Sequence, residues 1–246
     1  MKHLRYLILA ALLITSTPAF AQGHNRLPVF SAGTRIGSNI GSISLTDRIY
    51  DCYSSSPSVF ALGGVWFQYR TSSGISFRPE VFYKGRGGIL TCNDVYYRLV
   101  ANTIDIRMCM QLDFYVARSF ASFYLVAAPS LVHTLGGHVD YRDDICGDLD
   151  LDLSSSNIRD NEFEVFCGAG FEYPVFTGFS MMLVSFEAGY SFALTNTFTT
   201  AECNGELNVL NLANISQPST GNRLLHGFEV AIRVGIPFGP HLKIRR

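Results

Sequence analysis

Residues 161 to 176, NEFEVFCGAGFEYPVF, alternate between an oily series (Phe163, Val165, Cys167, Ala169, Phe171, Tyr173, Val175) and a series of charge and glycine (Glu162, Glu164, Gly168, Gly170, Glu172). Successive side chains of a strand point to opposite faces, so the segment reads as a wall between hydrocarbon and something polar. Seven other segments follow the same period: about Phe30 to Leu45, Phe60 to Arg70, Ile75 to Lys84, Val100 to Leu112, Phe123 to Leu135, Met182 to Phe192 and Phe228 to Phe238. The segment from Phe123 is apolar on both faces, which leaves its register open. About 10 residues is the length of a tilted strand that crosses a membrane.

The connections sort by length. Thr71 to Gly74, Asp113 to Ser122 and Phe176 to Ser180 are short, whereas Thr46 to Ser58, Gly85 to Tyr96, Gly136 to Asp160 and Thr199 to Asn222 are long. Strict alternation of short and long predicts an all-β, eight-stranded antiparallel up-and-down transmembrane β-barrel with short periplasmic turns and long extracellular loops. Tyr69, Phe114, Tyr115, Phe120, Tyr173, Phe176, Phe179 and Phe238 fall near the short turns, and Tyr50, Tyr53, Tyr96, Tyr97 and Tyr141 near the long loops. Two interfacial girdles are expected from them. A ten-stranded variant is open, because Asp148-Leu-Asp-Leu-Asp-Leu153 in the third long loop also alternates.

The beginning of the chain agrees with export. A basic start (Lys2, His3, Arg5), an apolar stretch from Leu7 to Ile14 and the small-residue signal Ala19-Phe20-Ala21 predict a signal peptide over 1–21 and a barrel domain over 22–246. Without Lys2 and Arg5 the chain carries 17 basic against 20 acidic residues, a balance that gives no reason to expect nucleic acid. The richest later apolar stretch, Met181 to Leu194, is broken by Ser185, Glu187 and Gly189, so strands rather than helices must do any spanning.

Thirteen charges fall on the face opposite the oily series: Arg35, Arg70, Arg78, Lys84, Arg107 and Arg233 against Glu80, Asp105, Glu162, Glu164, Glu172, Glu187 and Glu229. Side chains fill the inside of an eight-stranded barrel, so a nearly balanced set predicts a closed, ion-paired interior rather than an open pore. Arg78, Arg107 and Arg233 are the expected partners of the glutamates at 162, 164 and 172. A soluble lipocalin-like periplasmic barrel would need the reverse, with charge outside and oil inside.

One cysteine lies in each long connection, Cys52, Cys92, Cys146 and Cys203, and two bridges are expected, Cys52 to Cys92 and Cys146 to Cys203. Cys109 and Cys167 fall within strands, on opposite faces. Asp140, Asp143, Asp144, Asp148, Asp150, Asp152 and Asp160 crowd the third long loop, but the ordered ligand spacing of an EF-hand is missing and a solvated acidic loop is the simpler reading. No GxSxG, HExxH or zinc spacing accompanies His133, His138 and His226. A lipid acyl-transferase would need His133 or His226 beside Ser130 or Asp140. No enzyme activity and no cofactor are expected.

The segments GTRIGSNIG (33 to 41), ISFRPEVFYKGRGG (75 to 88), NTIDIRMCMQL (102 to 112), FCGAGFEYPV (166 to 175), FEAGYSFALTN (186 to 196) and FEVAIRVGIPF (228 to 238), in this order, resemble the PorT-like outer-membrane β-barrels common in Bacteroidetes, related in architecture to OmpA-like and OmpX-like barrels. The resemblance implies an eight-stranded barrel in the bacterial outer membrane, and for some members a part in type IX secretion. Many such barrels end on an aromatic residue, whereas this chain runs on from Phe238 through GPHLKIRR. The expected role is structural, adhesive or binding through the loops, with a secretion accessory as the alternative. The expected surroundings are outer-membrane lipid, a cell-surface or secretion partner, no nucleic acid and a monomeric state.

Overall fold

The computed structural model describes residues 28–45, 54–92, 95–116, 121–143, 147–152, 160–177, 180–195 and 223–241. The expected signal peptide lies outside them. Among the described residues ten antiparallel strands form: β1 (Pro28–Leu45), β2 (Ser54–Ser56), β3 (Ser58–Arg70), β4 (Ile75–Cys92), β5 (Val95–Tyr115), β6 (Ser122–Asp143), β7 (Gly147–Asp152), β8 (Asn161–Thr177), β9 (Ser180–Ala193) and β10 (Arg223–His241). Eight of them close a ring in the order β1, β3, β4, β5, β6, β8, β9, β10, and β10 pairs back onto β1 from His241 to Arg223. The eight-stranded barrel is therefore present. β2 adds to β4 and β7 adds to β6 outside the ring, and β7 is the Asp-Leu alternation of the third long connection.

The alternation of the sequence becomes the two faces of the wall. Ile36 is 64% exposed and its neighbour Arg35 1%, and the same contrast separates Phe163 from Glu162 and Ile106 from Arg107. Oil faces out and charge faces in, the reverse of a lipocalin-like barrel. The ambiguous strand resolves the same way: Phe123, Leu125 and Leu131 point out, while Tyr124, Val126, Ala128 and Val132 are buried within. At the short-turn end Phe30 packs with Phe67, Tyr69 and Phe238, with ring centroids 5.5–5.9 Å apart.

The long-loop end differs from the expectation. Gly85 to Tyr96 is mostly strand, since β4 and β5 stay paired as far as Cys92 opposite Val95. β6 also runs on to Asp143, past an extra residue at Leu135 and two glycines, Gly136 and Gly137, at φ 147° and 154°. Beyond Ser58, where β3 stops pairing with β1, the backbone of Gly87 packs on Gly41 and Gly88 packs on Ser42 and Ile43. Gly87 has φ 140°, and a Cβ there would collide with the Leu99 carbonyl. So β4 leans across the mouth onto β1, over an apolar collar of Ile43 opposite Leu225, Leu99 opposite Val139 and Leu90 opposite Tyr97, all buried. Tyr97 is thus a collar residue and no part of an interfacial girdle. Tyr50, Tyr53, Phe120 and Phe179 lie outside the described residues.

Candidate functional site in the barrel interior

β4 contributes Ser76, Arg78, Glu80, Phe82, Lys84 and Arg86 to the interior at every second position, a stretch of about 33 Å along the strand. All thirteen predicted interior charges are buried, and two more join them, Arg86 and Asp113. Neither stood out in the sequence: Arg86 falls in KGRGG, where all residues from Lys84 to Gly88 are buried and period two disappears, and Asp113 falls in the expected short connection after Leu112, whereas β5 runs on to Tyr115.

The charges meet in tiers. Nearest the collar, both terminal nitrogens of Arg107 bind the two oxygens of Glu229, at 2.8 and 2.9 Å, a bidentate geometry that a lysine cannot reproduce. Lys84 Nζ lies 2.8 Å from Asp105, 3.1 Å from Glu229 and 3.3 Å from Glu164, while Arg86 binds Glu162 and Glu164. In the middle tier Arg35 bridges Glu80 at 2.6 Å, Glu229 at 2.8 Å and Glu187 at 3.3 Å. Arg78 binds Glu80 and Glu187, each at 2.5 Å, and donates also to the Gln111 side chain. Gln111 in turn donates to Asp113, which accepts a second bond from Ser76. Near the short turns Arg70 binds Glu172 at 2.5 Å, and Ser185 donates to the same carboxylate.

These pairings correct the expected ones. Arg86, Lys84 and Arg70 serve the glutamates at 162, 164 and 172, whereas Arg78 serves Glu80 and Glu187, Arg107 serves Glu229, and Arg233 donates to Tyr124 at 2.8 Å. Alternation reports the face of a residue; the stagger of strands around the ring decides who sits opposite across the lumen.

Aromatic rings complete the filling. Arg107 lies 4.1 Å from the ring centroid of Phe166 and 4.7 Å from that of Phe82, and Arg233 lies 5.3 Å from that of Trp66. The inward glycines make room for such rings: a Cβ on Gly170 would run into Tyr124, and one on Gly189 into Phe166. Glycines that read as part of a polar face are thus sockets for aromatic side chains.

Among the described residues no group of acidic, His or Cys side chains is arranged to hold a metal ion. Asp144 lies outside the described residues, and β7 carries Asp148, Asp150 and Asp152 along one strand. His133 Nδ1 sits 2.9 Å from Asn161 Oδ1 on the outer surface, while Ser130 is buried within, so strand alternation separates them. His226 stacks on Tyr190 at 6.0 Å. Cys109 is free and buried, Cys167 free and exposed. Cys92 ends β4, buried and disulfide-bonded, its partner one of Cys52, Cys146 and Cys203, all of which lie outside the described residues.

A family model described as outer membrane protein beta-barrel domain matches residues 20–199. The chain belongs to the outer membrane protein β-barrel domain family. As a member of it, the chain is a protein of the bacterial outer membrane. Solved outer membrane proteins are similar to the chain at low identity. Neisserial surface protein A is 13% identical with a TM-score of 0.40, over 85% of this chain and 99% of that one. OprG of Pseudomonas aeruginosa is 11% identical at 0.46, over 89% and 99%. The outer membrane protease OmpT of Escherichia coli is 8% identical at 0.39, over 89% and 100%. No curated protein matches the chain.

Proposed function

We propose that this outer membrane β-barrel is a plugged, non-conducting and non-catalytic scaffold that presents its outer strands and loops for binding or adhesion. The supporting observation is the unbroken run of contacts Glu162, Arg86, Glu164, Lys84, Glu229, Arg35, Glu80, Arg78, Gln111 and Asp113 down the interior. An ion entering such an interior must separate pairs held in a low dielectric, where separation costs several kcal/mol. The remaining chemistry is then at the outer end, on connections carried by a rigid frame, where binding usually resides. Purified protein in a planar bilayer should give no stable unit conductance, and a steady single-channel current would overturn the reading.

The non-catalytic part rests on the separation of His133 from Ser130 and on the stacking of His226 on Tyr190, with its Nδ1 buried and without a hydrogen-bond partner among the described residues. The finer PorT-like kinship, and with it an accessory role in protein secretion, rests on the order of the six motifs. Loss of exported proteins from the medium on gene deletion would select that role over adhesion. A cleaved signal peptide over 1–21, a monomer and direct contact with lipid belong to the same proposal.

A further inference from the structure

The two ends of the barrel differ in charge. Of the 20 acidic residues in the sequence eight are buried in the interior, and the other twelve all fall in the four long connections: Asp47 and Asp51, then Asp94, then seven aspartates from Asp140 to Asp160, and last Glu202 and Glu206. Against them, outside the interior, that end has Arg48, Arg98, Arg142, Arg159 and Arg223, so it is acidic. The short-turn end is the reverse. Outside the expected signal peptide its basic residues beyond the interior are Arg26, Arg118, Lys243, Arg245 and Arg246, and no aspartate or glutamate outside the interior accompanies them.

Four of those five basic residues belong to one seam. β1 and β10 are neighbours in the ring, and Pro28, the first residue of β1, is the register partner of His241, the last of β10. Arg26 stands two residues before the one and Lys243 two after the other, a reach of at most about 7 Å along the chain, and Arg246 follows within about 18 Å. From Phe238 to His241 β10 spends one residue more than β1 spends from Phe30 to Pro28, a bulge that includes Gly239 at φ 86°, where a Cβ would press on the Phe30 ring. The outer surface beside the seam is aromatic. Phe30 and Phe238 on β1 and β10 pack with Phe67 and Tyr69 on β3, with centroids 5.5–6.2 Å apart, and Phe67, Tyr69 and Phe238 are exposed. Such rings settle where hydrocarbon gives way to headgroups, so basic residues joined to the wall beside them are within reach of lipid phosphates.

We infer that the β10–β1 seam at the short-turn end is a surface site for the headgroup of an anionic phospholipid, with Arg26, Lys243, Arg245 and Arg246 supplying the charge and Phe30, Phe67, Tyr69 and Phe238 the platform beside it. The lipid lies on the outer surface of the wall, so the site needs no opening between strands. Cations near a membrane surface attract anionic lipid, each adding to the pull, and at this end no carboxylate outside the interior competes for them. At the other end the same headgroup would meet twelve carboxylates. A soluble acidic partner would use the charges alone, whereas the exposed rings next to them suit a lipid. The site rests on the membrane placement of the barrel and is independent of its plugged interior.

The test is native mass spectrometry of the purified protein released from nanodiscs that contain equal amounts of phosphatidylglycerol and phosphatidylcholine, with the retained lipids counted. Phosphatidylglycerol should be retained about tenfold over phosphatidylcholine. Lys243→Gln combined with Arg245→Gln and Arg246→Gln should remove most of that preference, Arg26→Gln should remove part of it, and Arg98→Gln at the opposite end should leave it unchanged. Tyr69→Ala should lower the retention of both lipids alike. Excess inorganic phosphate should not displace the lipid, because it has no use for the rings. Heat-modifiable gel migration establishes that each variant is folded. Equal retention of the two lipids, a preference that survives the triple substitution or falls as far with Arg98→Gln, or displacement by inorganic phosphate overturns the site. None of these outcomes touches the non-conducting scaffold, which planar-bilayer recording tests separately.

Discussion

The interior of this barrel is filled in two ways. At the level of the membrane eight strands enclose a wide lumen, and arginines, glutamates and aromatic rings fill it as Arg35, Arg107 and Glu229 do, each reaching across to strands far away in sequence. Beyond that level β4 leans onto β1, the lumen narrows, and Ile43, Leu90, Leu99, Val139 and Leu225 close it with oil. A long charged side chain is a space-filler that must also be neutralised, whereas a collar of aliphatic side chains needs only to fit. The two regions depend on each other, because a collar that excludes water lowers the dielectric below it and strengthens every pair there.

The largest break is to strand the charges. Glu229 serves Arg35, Lys84 and Arg107, so Glu229→Leu should cost about 3–5 kcal/mol of stability, while adding Arg107→Met should restore part of it by removing one stranded partner. Urea titration of the liposome-embedded protein, followed through its single tryptophan, buried Trp66, reads both. A double variant no more stable than the single would sink the idea that these charges act as a set. Leu99→Ala should come next, at about 2–5 kcal/mol for a fully buried leucine. It is a defect of fit alone, so no second substitution among the charges should rescue it.

A third comparison concerns what ties the collar. β2 sets Ser54 opposite Thr91, two residues after Cys52 and one before Cys92, which favours the Cys52–Cys92 bridge among the candidates. Non-reducing peptide mapping should recover that bridge, with Cys146–Cys203 as the second. Reduction should then weaken the protein by about 2–4 kcal/mol, mostly at the collar. All four thiols recovered free would refute both bridges.

Much of the membrane-level region was legible in advance, and little of the collar was. A strand buried on one face writes its burial into every second residue, so Glu162, Glu164 and Glu172 announced an inner face beside Phe163 and Tyr173. From Lys84 to Gly88 both faces are buried, against β1 and Phe60 on one side and the lumen on the other, and the alternation vanishes together with Arg86. β6 was ambiguous for a related reason: its inner face, Tyr124 to Ala128, is part of the apolar cluster, so oil lies on both sides. Ion-pair partners were hidden because they depend on how far each strand slides past the next, which no single strand records.

The smallest effect sharpens the contrast most cheaply. Arg98 and Asp140 face each other on the outer side of the collar strands, 3.7 Å apart, and Arg98 is 45% exposed. In chemistry the pair matches the arginine–carboxylate contacts of the interior, yet it stands in water, where screening and the freedom of both side chains consume most of its attraction. Arg98→Ala should therefore change stability by less than about 1 kcal/mol, and added salt should shrink even that difference. The same titration on both variants separates the causes. If Arg98→Ala costs as much as Glu229→Leu, the surface of the collar is itself a cooperative part of the core; if it costs next to nothing, the difference between the two measures what burial contributes to an otherwise identical pairing.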